Sequence, residues 1–139
     1  MNNTKARSFV TLMVVIAVTA FTLRFAIEQV IRTNITQNES NASATLKLIA
    51  TALENFAKNN SGKFPESLAL LTKTSPAYLD KYYVGLSPMK GYIYTCPKLD
   101  NSGYSCYASP THCNLTGKKI YNITTGGLFV TEECSEKKE

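Results

Sequence analysis

The sequence predicts an α+β protein: a long N-terminal helix, half membrane-spanning and half amphipathic, packed on a small antiparallel sheet of two hairpins. Three observations predict it. Residues 8–23 (SFVTLMVVIAVTAFTL) carry no charge and lie between Lys5 and Arg7 on one side and Arg24 on the other. Apolar residues then recur at Leu46, Ile49, Leu53 and Phe56, with Ala50 and Ala57 flanking them, which is the spacing of one helix face. Beyond Gly62 short tyrosine- and threonine-rich runs alternate with turn residues, which is the pattern of strands.

At about 1.5 Å per residue the uncharged run is roughly 24 Å long as a helix, a little short of the ~30 Å hydrocarbon core of a bilayer. Arg7 and Arg24 can close that gap by laying their stems along lipid and keeping their heads at the interface. The basic residues lie mainly on the N-terminal side, so the short terminus is expected to stay cytoplasmic and the rest to cross. Two readings compete with the anchor. Ala17, Thr19 and Ala20 give a cleaved secretory signal only a loose cleavage site. A buried core helix seldom carries so apolar a run directly behind a basic terminus. The expected organisation is a basic N-terminus (1–7), a spanning segment (8–24), an amphipathic helix (25–58), a disulfide-stapled head (59–134) and a disordered charged tail (135–139).

After Phe25 an apolar stripe continues through Ile27, Val30, Ile31 and Ile35. Residues 33–43 (TNITQNESNAS) are weak helix formers that leave room for fraying or a bend, but with neither Gly nor Pro nothing in them forbids a helix. Lys47, Glu54 and Lys58 are expected off the apolar face. Asn59-Asn60-Ser61-Gly62 tolerates left-handed backbone and marks the helix end. Residues 66–71 read as short helical turns burying Leu68, Leu70 or Leu71, and residues 76–80 as another turn-rich unit. The first hairpin joins strands 91–96 and 104–108 through a turn cluster at 98–103. The second joins 119–124 and 128–131 around Gly126-Gly127, read as a two-residue turn.

The net charge of +5 is largely topological. Without Lys5, Arg7 and Arg24, 12 basic and 10 acidic residues remain, with no basic cluster interleaved with aromatics, so nucleic-acid binding is not expected. About 80 residues are left for the head, where a single core is only marginally sufficient. Cys96, Cys106, Cys113 and Cys134 all lie in the C-terminal third, on the side expected to be translocated, which fits disulfides. Cys96 and Cys106 are each five residues from Asn101 and face each other across the first hairpin. Cys134 extends the last strand past the point opposite Lys118, near the loop bearing Cys113. Of the three possible connectivities this favours Cys96–Cys106 with Cys113–Cys134. The rival is a zinc site that adds His112, against which the spacings of 10, 7 and 21 residues offer no close pair.

Chemistry-bearing residues are otherwise sparse. His112 reads as a solvated loop residue, and Glu132 and Glu133 would face opposite sides of a strand. No nucleophile elbow, H-E-x-x-H or phosphate loop is present. Neither catalysis, a cofactor nor a metal is expected. Seven N-x-S/T sequons, Asn114 and Asn122 among them, follow from a composition rich in Asn and Thr. The eight tyrosines (Tyr78, Tyr82, Tyr83, Tyr92, Tyr94, Tyr104, Tyr107 and Tyr121) read as the rim of a small core rather than as a sugar-binding face.

Taken in order, these stretches resemble type IV pilins and the pseudopilins of type II secretion. Leu12-Met13-Val14-Val15-Ile16-Ala17 is similar to that family's N-terminal apolar signature. Residues 38–54 followed by Lys63-Phe64-Pro65 look like its amphipathic helix and the turn after it. Gly91-Tyr92-Ile93-Tyr94, Gly103-Tyr104-Ser105-Cys106-Tyr107-Ala108 and the last strand pair look like its C-terminal sheet. The resemblance implies a filament subunit of a pilus or pseudopilus, held in the bacterial inner membrane before assembly. Its N-terminus would be cytoplasmic and its head periplasmic or extracellular. Its partners would be other pilin-like subunits bound through the N-terminal helix, with prepilin peptidase as the processing enzyme.

The chain departs from the family at the processing motif. Aligned through LMVVIA, the family's glycine falls at Ala6, its phenylalanine at Arg7 and its glutamate at Thr11. A gapped alignment uses Ser8 and Phe9 and loses the glutamate. In the family that carboxylate offsets a neighbouring subunit's new amino terminus inside an apolar filament core, where a lone charge is costly. Thr11 cannot supply it. The second expectation is therefore a membrane-tethered relative that does not polymerise, as a minor or tip subunit or a partner-binding head. The family's helix-loosening glycine and proline fall at Ala20 and Glu28, which implies an unbroken helix.

Overall fold

The computed structural model describes residues 3–135 of the chain, with side chains from Ser8 onward. Residues 1–2 and 136–139, which carry the ends of the expected basic terminus and charged tail, lie outside the described residues. So do the side chains of Ala6 and Arg7. The chain divides into two compact units, Met1–Asn34 and Ile35–Glu139. The fold is α+β: helix α1 (Asn3–Asn59), a short helix α2 (Leu70–Lys73), and strands β1 (Tyr92–Asp100), β2 (Gly103–Pro110), β3 (Lys119–Thr124) and β4 (Leu128–Glu133). The strands form one sheet in the order β1-β2-β3-β4, each pair antiparallel.

Helix α1 starts at Asn3 rather than at residue 8, and it runs unbroken through residues 33–43, as expected of a continuous helix without Gly or Pro there. The polar stretch stays helical because its inner side is occupied: Ile35 and Ala42 are buried, and Asn38 and Glu39 bond to the head. Tertiary contacts outweigh weak propensity. The helix stops where the sequence marks it. Ser61 and Gly62 take φ of 58° and 81°, and the Gly62 N–H donates to the Ala57 carbonyl at 2.8 Å, closing the last turn.

Within the head, Ala42, Leu46, Ile49, Ala50, Leu53 and Ala57 of α1 form one buried cluster with Tyr92, Tyr94, Tyr104, Cys106, Ala108, Tyr121 and Ile123 of the sheet. Phe64, Leu68, Leu71 and Leu79 join the same cluster. Leu70 is exposed instead, because α2 turns it away.

Strands β1, β2 and β4 are longer than the sequence pattern suggests, whereas β3 has the expected bounds. In the first hairpin Thr95 faces Tyr107, whereas Lys98 faces Ser105 and Asp100 faces Gly103. The register slips at Cys96-Pro97, where proline cannot donate to a ladder and a bulge absorbs the extra residue. The turn is therefore Asn101-Ser102, and Lys98–Asp100 belong to β1. In the second hairpin Thr124 faces Leu128, so the turn has three residues, Thr125-Gly126-Gly127. The two glycines take φ of 82° and 73°, which a side chain would strain. Strand β4 runs on to Glu133, and the Cys134 N–H donates to the Lys118 carbonyl at 2.8 Å.

Disulfides join Cys96 to Cys106 and Cys113 to Cys134. The first links neighbouring strands that the hairpin already holds together. The second, across 21 residues, fastens the loop before β3 to the end of β4. Replacing Cys113 and Cys134 together by serine is expected to lower stability by ~2–4 kcal/mol and to raise amide exchange in β4 before β1. Denaturant unfolding and hydrogen exchange of the full chain in detergent would measure both.

Candidate functional site

The first unit is all helix, and its character is set by what its side chains leave uncovered. From Phe9 to Val30 thirteen large apolar residues are 52–74% exposed, among them Phe9, Leu12, Met13, Val14, Val15 and Ile16. Ser8 and Ala17 are exposed as well. The polar atoms of this stretch are turned inward along the helix. The Thr19 hydroxyl donates to the Val15 and Ile16 carbonyls at 3.0 and 2.9 Å, and the Thr22 hydroxyl donates to the Thr19 carbonyl at 2.9 Å. A threonine bonded this way presents its methyl group outward and is compatible with lipid. Beyond the run, Arg24 and Glu28 stand 3.7 Å apart at an i,i+4 spacing. The helix is long and apolar enough to cross a membrane.

In the second unit the helix stripe meets the sheet through fixed polar contacts that apolar periodicity did not reveal. The Asn38 amide donates to the Thr116 carbonyl at 2.9 Å, and a Glu39 carboxylate oxygen accepts from the Lys118 N–H at 2.8 Å. Glu54, expected off the face, instead lies at its margin. One carboxylate oxygen accepts from the Tyr104 hydroxyl at 2.9 Å and from the Gly126 N–H at 2.8 Å, tying α1 to β2 and to the β3–β4 turn. The Tyr92 hydroxyl donates to the Lys119 carbonyl at 2.8 Å. A side chain at Gly117 would strike the Tyr92 ring, so glycine is needed there for room.

Five tyrosines, Tyr83, Tyr92, Tyr94, Tyr104 and Tyr121, are buried. Burial is the main cause that raises each above the ordinary phenol value. Beside Tyr92 and Tyr121 the Glu39 charge adds to it, and beside Tyr104 the hydrogen bond to Glu54 does. Tyr83, which donates to Asp80 at 2.8 Å, is pushed up to about 12. That bond in turn holds the Asp80 carboxyl below its usual range.

The other sequence candidates are dispersed. His112 and the pair Glu132-Glu133 are exposed. All four sulfurs are spent on each other, so the zinc alternative has no thiolates to use. No group of three or more potential metal-ligating side chains occurs among the described residues. No family model matches the chain, and no curated protein or solved structure matches it.

Two measurements follow from the helix–sheet seam. Glu54→Ala leaves the Tyr104 hydroxyl and the Gly126 N–H without their acceptor and is expected to cost ~1–3 kcal/mol in denaturant unfolding, whereas Glu54→Gln keeps an acceptor oxygen and loses less. The tyrosines set a pH limit of known sign. A phenol whose folded value is raised keeps its proton in the fold after the unfolded chain has lost it. Stability is therefore whole below the unfolded value of 10 and falls as pH rises through about 12. Unfolding midpoints taken from neutral to strongly alkaline pH should fall in that window, together with ultraviolet absorbance of newly formed phenolate.

Proposed function

We propose that the protein is a structural subunit of a type IV pilus-like or type II secretion pseudopilus filament, anchored in the inner membrane by its N-terminal helix before assembly. One observation carries the reading: a helical belt of large apolar side chains, residues 9–30, that none of the described residues covers. Lipid can cover it before assembly, and other helices of the same kind can cover it afterwards. The small antiparallel head with its two disulfides is compatible with a pilin-like fold, and paired cysteines suit a head outside the cytoplasm. In this reading the N-terminus is cytoplasmic, the head is periplasmic or extracellular, and the protein acts by contact rather than by chemistry.

A second reading is favoured by Thr11. An uncharged residue there removes the carboxylate partner for a cleaved amino terminus, which suits a tethered or tip-located head that does not polymerise. Mass spectrometry of the mature N-terminus, combined with cysteine cross-linking from Val14 in membranes, separates the readings. Cleavage between Ala6 and Phe9 with a ladder of cross-linked species supports assembly. An intact Met1 without a ladder supports the tether. A soluble, released protein beginning near Ala20 would overturn both.

A further inference from the structure

The apolar belt of the first unit is not uniform around its circumference. Between Ser8 and Thr33 the uncharged polar side chains are Ser8, Thr11, Thr19, Thr22, Gln29 and Thr33. At about 100° per residue all of them fall within an arc of about 80°. Val15 and Ala26 fill the two gaps in the line, so its steps are of three or four residues throughout. The rest of the circumference carries the large apolar residues, Phe9, Leu12, Phe21 and Ile27 among them. Arg24 and Glu28, which stand 3.7 Å apart, project from the other side of the helix, and Arg32 also lies outside the arc. The line is therefore free of charge along its length, and it is exposed at every position.

Hydrogen bonding sets one residue of the line apart. The Thr19, Thr22 and Thr33 hydroxyls donate to carbonyls of their own helix at 2.9 to 3.0 Å, which turns their methyl groups outward. The main-chain carbonyl of Gln29 serves Thr33, but its side-chain amide has no hydrogen-bond partner among the described residues. It stands among Phe25, Ile27 and Val30, which are 59–68% exposed. Hydrocarbon around such a belt offers the amide neither donor nor acceptor. A primary amide both donates and accepts, so a second Gln29 satisfies it, whereas a carboxylate or an ammonium answers only half.

We propose that this line is the face along which α1 of a second copy packs in parallel within the membrane, with the two Gln29 amides bonded to each other. The inference rests on the membrane-anchor part of the reading above and names the face that the anchor uses. Copies inserted with the same topology run in the same direction, so each residue of the line meets its own counterpart at the same depth. Small side chains on both helices let the backbones approach, and the threonine methyls and Val15 supply the contact between them. Because the line carries no charge, identical faces do not repel. The amide pair then fixes one register, while the large apolar residues elsewhere on the circumference stay in lipid.

The test uses the full chain in phospholipid vesicles at a low protein-to-lipid ratio. The four native cysteines are paired with each other, so one introduced cysteine supplies the only free thiol. Under mild oxidation Thr19→Cys, Thr22→Cys and Ala26→Cys are expected to form dimers roughly fivefold faster than Ala17→Cys and Ala20→Cys, which lie off the line. In the Thr22→Cys background Gln29→Leu should lower the rate roughly threefold, and Gln29→Asn, which keeps the amide, should restore much of it. Equal rates on and off the line would overturn the inference. So would a Gln29→Leu variant that cross-links normally or, in native membranes, cross-linking to a different protein in place of a second copy. Protein that enters the vesicles without a preferred face defeats this inference alone and leaves the anchor standing; protein that does not enter them defeats both. An unchanged thermal midpoint for the head of each variant excludes misfolding as the cause.

Discussion

Burial of one stripe of α1 beneath the tyrosine-rich face of the sheet is the contact on which the head depends. Leu46, Ile49 and Leu53 have no exposed surface, and opposite them Tyr92 and Tyr104 are almost wholly enclosed. A tyrosine gives a small core a large ring, but its hydroxyl must keep a hydrogen bond when water is removed. Three of the five buried tyrosines donate to a fixed acceptor: the Lys119 carbonyl for Tyr92, Glu54 for Tyr104, and Asp80 for Tyr83. The acceptors come from three different parts of the chain. The polar bonds therefore fix where the helix lies on the sheet, while the apolar contacts supply most of the attraction. With so few residues the disulfides add cross-links that a larger core would not need.

The other half of α1 is governed by its surroundings rather than by packing within the chain. Covering a large apolar side chain contributes ~1.5–3 kcal/mol, so the thirteen exposed residues from Phe9 to Val30 represent tens of kcal/mol. Domain stability is about 5–15 kcal/mol. The apolar belt thus outweighs the head in deciding what environment the protein occupies. Thr19 and Thr22 fit this scale, since hydroxyls bonded within the helix do not subtract from it.

Much of the fold was legible because apolar spacing is a strong signal. The stripe at Leu46, Ile49 and Leu53 follows directly from it, and turn residues mark the helix stop at Ser61-Gly62 and the two hairpins. Counting apolar residues alone hid the remainder of the same face. Asn38 and Glu39 precede Ala42 by four and three positions, so they continue the stripe at helical spacing. An apolar count passes over them because their side chains are polar. Glu54 was misplaced for the same reason: it adjoins Leu53 at the margin of the face, where a carboxylate can serve a buried hydroxyl. Pro97 was a readable warning of a bulge, and without it the first turn looked wider than Asn101-Ser102.

The apolar belt and the sheet rely on contacts that differ in kind. Burial of an apolar belt is non-directional; one helix can slide or rotate against another at little cost unless something polar fixes it. A strand ladder, by contrast, sets register residue by residue, because a shift of one position misaligns every donor and exchanges the faces of the side chains.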